Sequence, residues 1–188
     1  MAMAKDRHVV DSFDNALFQH FNRDRVGDEM AHMLSKITIN WGKLEHALYL
    51  SMKSIDVKKA DQWRQEFFST PALAHKREKA RTNMQSIVAT SYPKLLGLFE
   101  GALNDLQHIQ NRRNILSHGI WLPIEIANRY PVQPLRYDSA KMTFDPIVIV
   151  EINYLNDLLD DMMKFINLIY SIGSEMLAHQ QLEKRGMR

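Results

Sequence analysis

Apolar residues recur three or four positions apart along four long stretches of the chain, and along a fifth stretch they do not. Met30, Met33, Leu34, Ile37, Trp41, Leu44, Leu48, Met52 and Ile55 trace one face of a first long helix over Asp28–Ile55. A second helical region covers Lys59–Ala89 and is interrupted at Ser69–Thr70–Pro71, which sets Thr70 as an N-cap and Pro71 as the first helical residue. A third helix runs from Pro93 to His118 and stops at Gly119. The last begins near Glu151 and reaches about Gln181 on Leu155, Leu158, Leu159, Met162, Ile166, Ile169, Gly173 and Leu177. A short helical piece, Ser12–His20, precedes them all.

Between the third and last helices the texture changes. Ile120–Val150 contains Pro123, Pro131, Pro134 and Pro146 and reads as short extended pieces: Ile120–Ile124, Val132–Tyr137 and Lys141–Phe144. Tyr137–Lys141 has the composition of a hairpin turn. So small a sheet is marginal alone and is expected to pack on the helices. With no internal repeat and no low-complexity linker, the pattern predicts a single all-α domain over residues 1–188. Its expected architecture is a four-helix bundle with a small β-hairpin insertion at about 120–150, before the last helix.

Composition narrows the setting. A chain of 188 residues can bury one sizeable core, and 45% hydrophobic with 24% charged residues is ordinary for a soluble protein. No apolar run approaches the ~18 residues of a membrane span. The start, Met1–His8, lacks the apolar core of a signal peptide, so a cytoplasmic protein is expected. The absence of cysteine excludes disulfides, a thiol nucleophile and thiolate metal sites. A net charge of +2 and a pI of 8.8 permit nucleic-acid binding without requiring it, so attraction to phosphate must come from local patches.

The densest chemistry lies in Gln110–Gly119, at the end of the third helix. Arg113, Asn114 and His118 put a guanidinium, a carboxamide and an imidazole within two turns. At about 100° per residue, Leu95, Leu98, Phe99, Ala102, Leu106, Ile109 and Leu116 share one arc with Arg113 near its centre. Arg112 points to one side, and Asn114 and His118 stack four apart. A guanidinium on an apolar stripe must meet a carboxylate, emerge at the bundle end, or face an anion or a second subunit. The plain structural alternative pairs Arg113 with a core acid such as Glu45 and leaves His118 as a favourable cation at a helix C-terminus. Arg25 and His32 also fit an arginine–histidine spacing, so position along a helix has to separate the candidates.

The arginine, the polar residue after it, the histidine and the following glycine, closing a helix in a four-helix chain, resemble the Arg-polar-x3-His signature of the HEPN superfamily. Trp41–Gly42–Lys43–Leu44–Glu45 is similar to a Trp-x-x-Leu-Glu run in several of its members. The resemblance spans roughly Asp28–His118 and Glu151–Gln181 and leaves the insert outside. It implies a metal-independent RNA endonuclease acting by 2′-hydroxyl attack, with no cofactor and a composite site in a homodimer. In that site Arg113, Asn114 and His118 are catalytic, while Glu45 orients Arg113 or His118 or is a plain ion-pair partner. It further implies a toxin or phage-defence effector restrained by an antitoxin such as a small nucleotidyltransferase. The alternative is a non-catalytic HEPN-like module that binds a nucleotide, RNA or a partner protein.

Other features carry less. His75–Arg81 is the most basic helical run, and Lys76, Arg77 and Arg81, with Arg112, are the expected contacts to an RNA backbone; such a run is otherwise a solvated face. Trp121, Tyr130, Tyr137 and Phe144 either stack bases or cover the bundle end. Glu29 and His32 have the Glu-x-x-His spacing of di-iron bundles, but Glu175 and His179 are four apart, so no metal site is expected.

Overall fold

A computed structural model of the protein describes residues 28–55, 57–70, 72–88, 92–122, 129–135, 137–138 and 143–185. The Ser12–His20 piece, Arg25, Pro71 and the residues of the Tyr137–Lys141 turn beyond Asp138 lie outside them.

The chain is mostly helical, with a small antiparallel three-stranded sheet before its last long helix. Helix α1 (Asp28–Ile55) is followed by a 3-10 turn (Val57–Lys59), α2 (Ala60–Ser69), α3 (Leu73–Val88) and α4 (Pro93–His118). After the strands, α5 (Ile152–Lys184) completes the order. Helix α1 packs along α5, α5 on α4, α4 on α3 and α3 on α1, so the four close a ring, with α2 against α1 outside it.

The apolar spacing that makes each helix amphipathic also fills this ring. Met30, Ile37, Leu44, Leu48 and Met52 from α1 meet Leu155, Leu158, Met162, Ile169 and Ile172 from α5, all buried. Gly173 of α5 lies against Ser51 and Ser54, and Gln180 Nε2 donates to the Ser54 carbonyl at 3.0 Å, so the C-terminal turns of α1 and α5 lie together. Helix α4 contributes Leu95, Phe99, Ala102, Leu103, Leu106 and Ile109. Leu98 departs from the expected stripe and is 52% exposed, whereas Leu116, at the same angle on the helix, is buried. Leu116 lies beside the insert, whose Trp121 indole donates to the Leu116 carbonyl at 3.1 Å.

Two helix ends depart from expectation. Thr70 does not cap α3: it ends α2, with its hydroxyl donating back to the Glu66 carbonyl at 2.7 Å. The next helix begins only at Leu73, so Thr70 stands two residues upstream of the N-cap position. Gly119 does stop α4, but with φ of −75°, outside the left-handed region. Its necessity is steric, because a Cβ there would run into the Ile115 carbonyl and the Val132 side chain.

The insert is more than one hairpin. Strands β1 (Ile120–Trp121), β2 (Tyr130–Gln133) and β5 (Val148–Val150) form an antiparallel sheet in the order β1-β2-β5. Strands β3 (Tyr137–Asp138) and β4 (Thr143–Phe144) pair separately, Tyr137 opposite Phe144. Tyr130, Val132 and Val150 face inward and are buried, while Ile120 and Ile149 face out. Pro131 sits in the central strand, where a donor is normally needed. It is tolerated where β1 ends, and its carbonyl still accepts from the Leu122 N–H at 2.9 Å. Among the described residues no helix is long and apolar enough to cross a membrane.

Candidate functional site

The last two turns of α4 carry Arg112, Arg113, Asn114 and His118, and the fold sends them in three directions. Arg112 faces α5. One of its terminal nitrogens donates to Asp161 Oδ2 and the other to the Tyr154 carbonyl, each at 2.8 Å, and its guanidinium lies 4.8 Å above the Tyr154 ring. Burial pushes the Tyr154 phenol above its ordinary value, against the opposing effect of Arg112. Arg112, read from the sequence as pointing to one side of the stripe, ties α4 to α5.

Arg113 faces α1. Its guanidinium is half-buried 5.0 Å from the centre of the Trp41 ring and makes no hydrogen bond or ion pair among the described residues. Glu45, considered as its partner, is engaged elsewhere. One carboxylate oxygen accepts from Trp41 Nε1 at 3.1 Å and the other from Lys76 Nζ at 2.7 Å. The alternative in which Arg113 simply pairs with Glu45 is therefore not realised, and Glu45 touches Arg113 only through the indole between them.

Asn114 and His118 face the insert. With Asn111, Ile115, Pro134, Leu135 and Asp145 they line a groove of about 430 Å³. Their spacing of four residues puts both on one strip of the helix. The imidazole of His118 is exposed. Arg113 and His118 are about 140° apart around α4, five residues at 100° each. No side-chain hydrogen bond or ion pair joins Arg113, Asn114 and His118 to one another among the described residues.

The basic run on α3 does not form the expected solvent-facing track. Lys76 is 6% exposed and turned inward onto Glu45, with its ammonium 5.0 Å from the centre of the buried Phe67 ring. Arg77 buries Nε and one terminal nitrogen without a hydrogen-bond partner among the described residues. Burial, reinforced by the charge of Arg81, holds its guanidinium below the ordinary arginine value. Arg81 is paired with Glu100 at 2.9 Å and with Glu78 at 2.7 Å, and the bond to Glu100 holds its guanidinium above the ordinary value. The periodicity that made this run helical also turned half of it toward α1 and α4, where carboxylates take up the charge. Of the insert aromatics, Tyr130 is buried and Trp121 packs against the core, while Phe144 is exposed.

Sequence reasoning missed Asp145, Pro134 and Leu135 as groove walls, and Tyr154 and Asp161 as partners of Arg112. Nothing local in the sequence marks a contact across more than forty residues. Trp41 carried a readable signal, since a tryptophan four residues before a glutamate on a helix places indole N–H and carboxylate together. Among the described residues no group of three or more His, Asp or Glu side chains is arranged to hold a metal ion. No protein-family model matches this chain, and no curated protein or solved structure matches it.

Proposed function

We propose that this chain is a HEPN-like four-helix-bundle ribonuclease that cuts RNA without a metal, through a composite site shared by two copies. One observation carries the reading: Arg113 is a half-buried guanidinium held against an aromatic face and given no acceptor among the described residues. A guanidinium with free in-plane donors is suited to grip two phosphoryl oxygens. His118, exposed in a groove beside Asn114, is suited to exchange protons near neutral pH.

In the proposed reaction His118 takes the proton from a ribose 2′-hydroxyl. The 2′-oxygen attacks the adjacent phosphorus, and the bond from phosphorus to the 5′-oxygen breaks. The leaving 5′-oxygen takes a proton from solvent, His118 releases to solvent the one it took, and a 2′,3′-cyclic phosphate remains. Arg113 neutralises charge growing on the phosphoryl oxygens, and Asn114 orients the phosphate or the imidazole. The separation of Arg113 from His118 around a single α4 supports a two-copy site, because a facing copy brings a second Arg113 and a second His118 into reach. Toxin or defence activity, restrained by a partner such as a small nucleotidyltransferase, belongs to the same proposal, as does a cytoplasmic location.

The test is incubation of purified protein with single-stranded RNA in EDTA. Cleavage leaving a 2′,3′-cyclic phosphate is expected, and His118→Ala should reduce it by at least ~10²-fold. Cleavage that appears only on adding magnesium would overturn the mechanism. A second reading, a non-catalytic module binding a nucleotide, RNA or a partner protein, is favoured by the internal pairing of Lys76, Arg81 and Arg112 and by Asp145 in the groove wall. Under that reading the protein binds its ligand without turnover.

A further inference from the structure

The Arg113 guanidinium stands at the end of a chain of contacts that begins in the core. Phe67 is fully buried, and the Lys76 ammonium lies 5.0 Å from the centre of its ring. Lys76 donates to one oxygen of Glu45 at 2.7 Å, the other oxygen of Glu45 accepts from the Trp41 indole at 3.1 Å, and Arg113 sits 5.0 Å above that indole. Each link fixes the next: a buried ammonium anchors the carboxylate, the carboxylate fixes the ring, and the ring face receives the guanidinium.

This is an unusual way to hold an arginine. A carboxylate would hold it more tightly, but would occupy the N–H donors that an anionic ligand needs and offset the charge that attracts it. An aromatic face attracts the cation through its quadrupole and leaves the donors free. Lys76 completes the device by occupying the Glu45 oxygen that does not hold the indole, so that the acid at the edge of the ring is not available to Arg113.

We propose that Trp41 is a positioning residue for Arg113, held by Glu45 and Lys76 so that the guanidinium is fixed and still open to a phosphate group. This assignment rests on the reading of Arg113 as a phosphate-binding residue. It is separable from the reading of the protein as a nuclease.

The experiment measures binding of an uncleavable 2′-O-methyl oligoribonucleotide to the full-length protein and its Trp41→Leu, Arg113→Ala and double variants. The wild type should bind, each single variant should bind at least ~10-fold more weakly, and the double variant no more weakly than Arg113→Ala, because Trp41 acts only through Arg113. Trp41→Phe, which retains a ring face, should recover most of the affinity lost in Trp41→Leu at an unchanged melting temperature. Losses that multiply in the double variant would overturn the proposal, as would no binding by the wild type. Cleavage of the unmethylated RNA is followed in parallel. Coupled binding without cleavage leaves the positioning role standing and removes the nuclease reading.

Discussion

Arg112 is joined to Tyr154 at both ends of that residue: its guanidinium donates to the Tyr154 carbonyl at 2.8 Å and lies 4.8 Å over the Tyr154 ring. The same guanidinium reaches Asp161, two turns further along the same face, so a single side chain clamps the end of α4 to the first turns of α5. Arg112→Ala is therefore expected to act on stability. Asp161 is 42% exposed, which screens the ion pair, and the total loss is set at roughly 1 kcal/mol. In a chain of this size that lowers the melting temperature by about 2–4 °C. Calorimetry of Arg112→Ala against wild type decides it, and an unchanged melting temperature would make the clamp dispensable.

Tyr154 makes the same junction sensitive to alkali. Burial is the main cause raising its phenol above the ordinary value of about 10. The folded state thus binds the phenolic proton more tightly than the unfolded chain. The associated stability is fully present below about pH 10 and is lost as the pH rises through the higher folded value. Melting temperatures between pH 8 and 12 should fall less steeply for Tyr154→Phe than for wild type; parallel curves would show that Tyr154 does not contribute.

Gly119 should resist substitution because of close approach. In Gly119→Ala the new Cβ meets the Ile115 carbonyl and Val132, and the backbone contact cannot relax cheaply. A loss of about 1–3 kcal/mol in urea unfolding is expected. Val132→Ala in the same chain relieves the side-chain clash alone and should restore only part. Full restoration would mean that the carbonyl is not the obstacle.

The Glu45–Lys76 pair should show the asymmetry of a buried ion pair. Their side chains are 22% and 7% exposed. Glu45→Ala leaves the Lys76 ammonium without its counter-charge and is expected to cost roughly 3 kcal/mol. Glu45→Gln combined with Lys76→Met removes both charges and should regain much of that in denaturant unfolding. A double variant as unstable as Glu45→Ala would assign the loss to packing around Trp41.

A composite site requires a second copy. Helix α5 leaves Met163, Tyr170 and Leu177 partly exposed at intervals of two turns, and α4 leaves Leu98 exposed. These support a homodimer on α4 and α5. Light scattering should give twice the 21.9 kDa chain mass at tens of micromolar. A monomer there would remove the two-copy site.

The sequence by itself determined the helices, though not the junction at Thr70, because apolar spacing is a local property and the same residues that create it fill the core. Met30 to Met52 on α1 and Leu95 to Ile109 on α4 were readable without any knowledge of what they face. It also located Arg113 on a buried arc and His118 with Asn114 on a neighbouring strip, since both follow from the turn of one helix. The tertiary structure alone decided what each charge meets. Arg112 and Arg113 differ by one residue and about 100° of rotation, and that rotation gives one Asp161 and Tyr154 and the other the face of Trp41. Strand β5, the inward turn of Lys76 and the Val132 side of the clash at Gly119 are likewise contacts between segments distant in the chain. Local periodicity says which face of a helix is buried, and only the packed chain says against what.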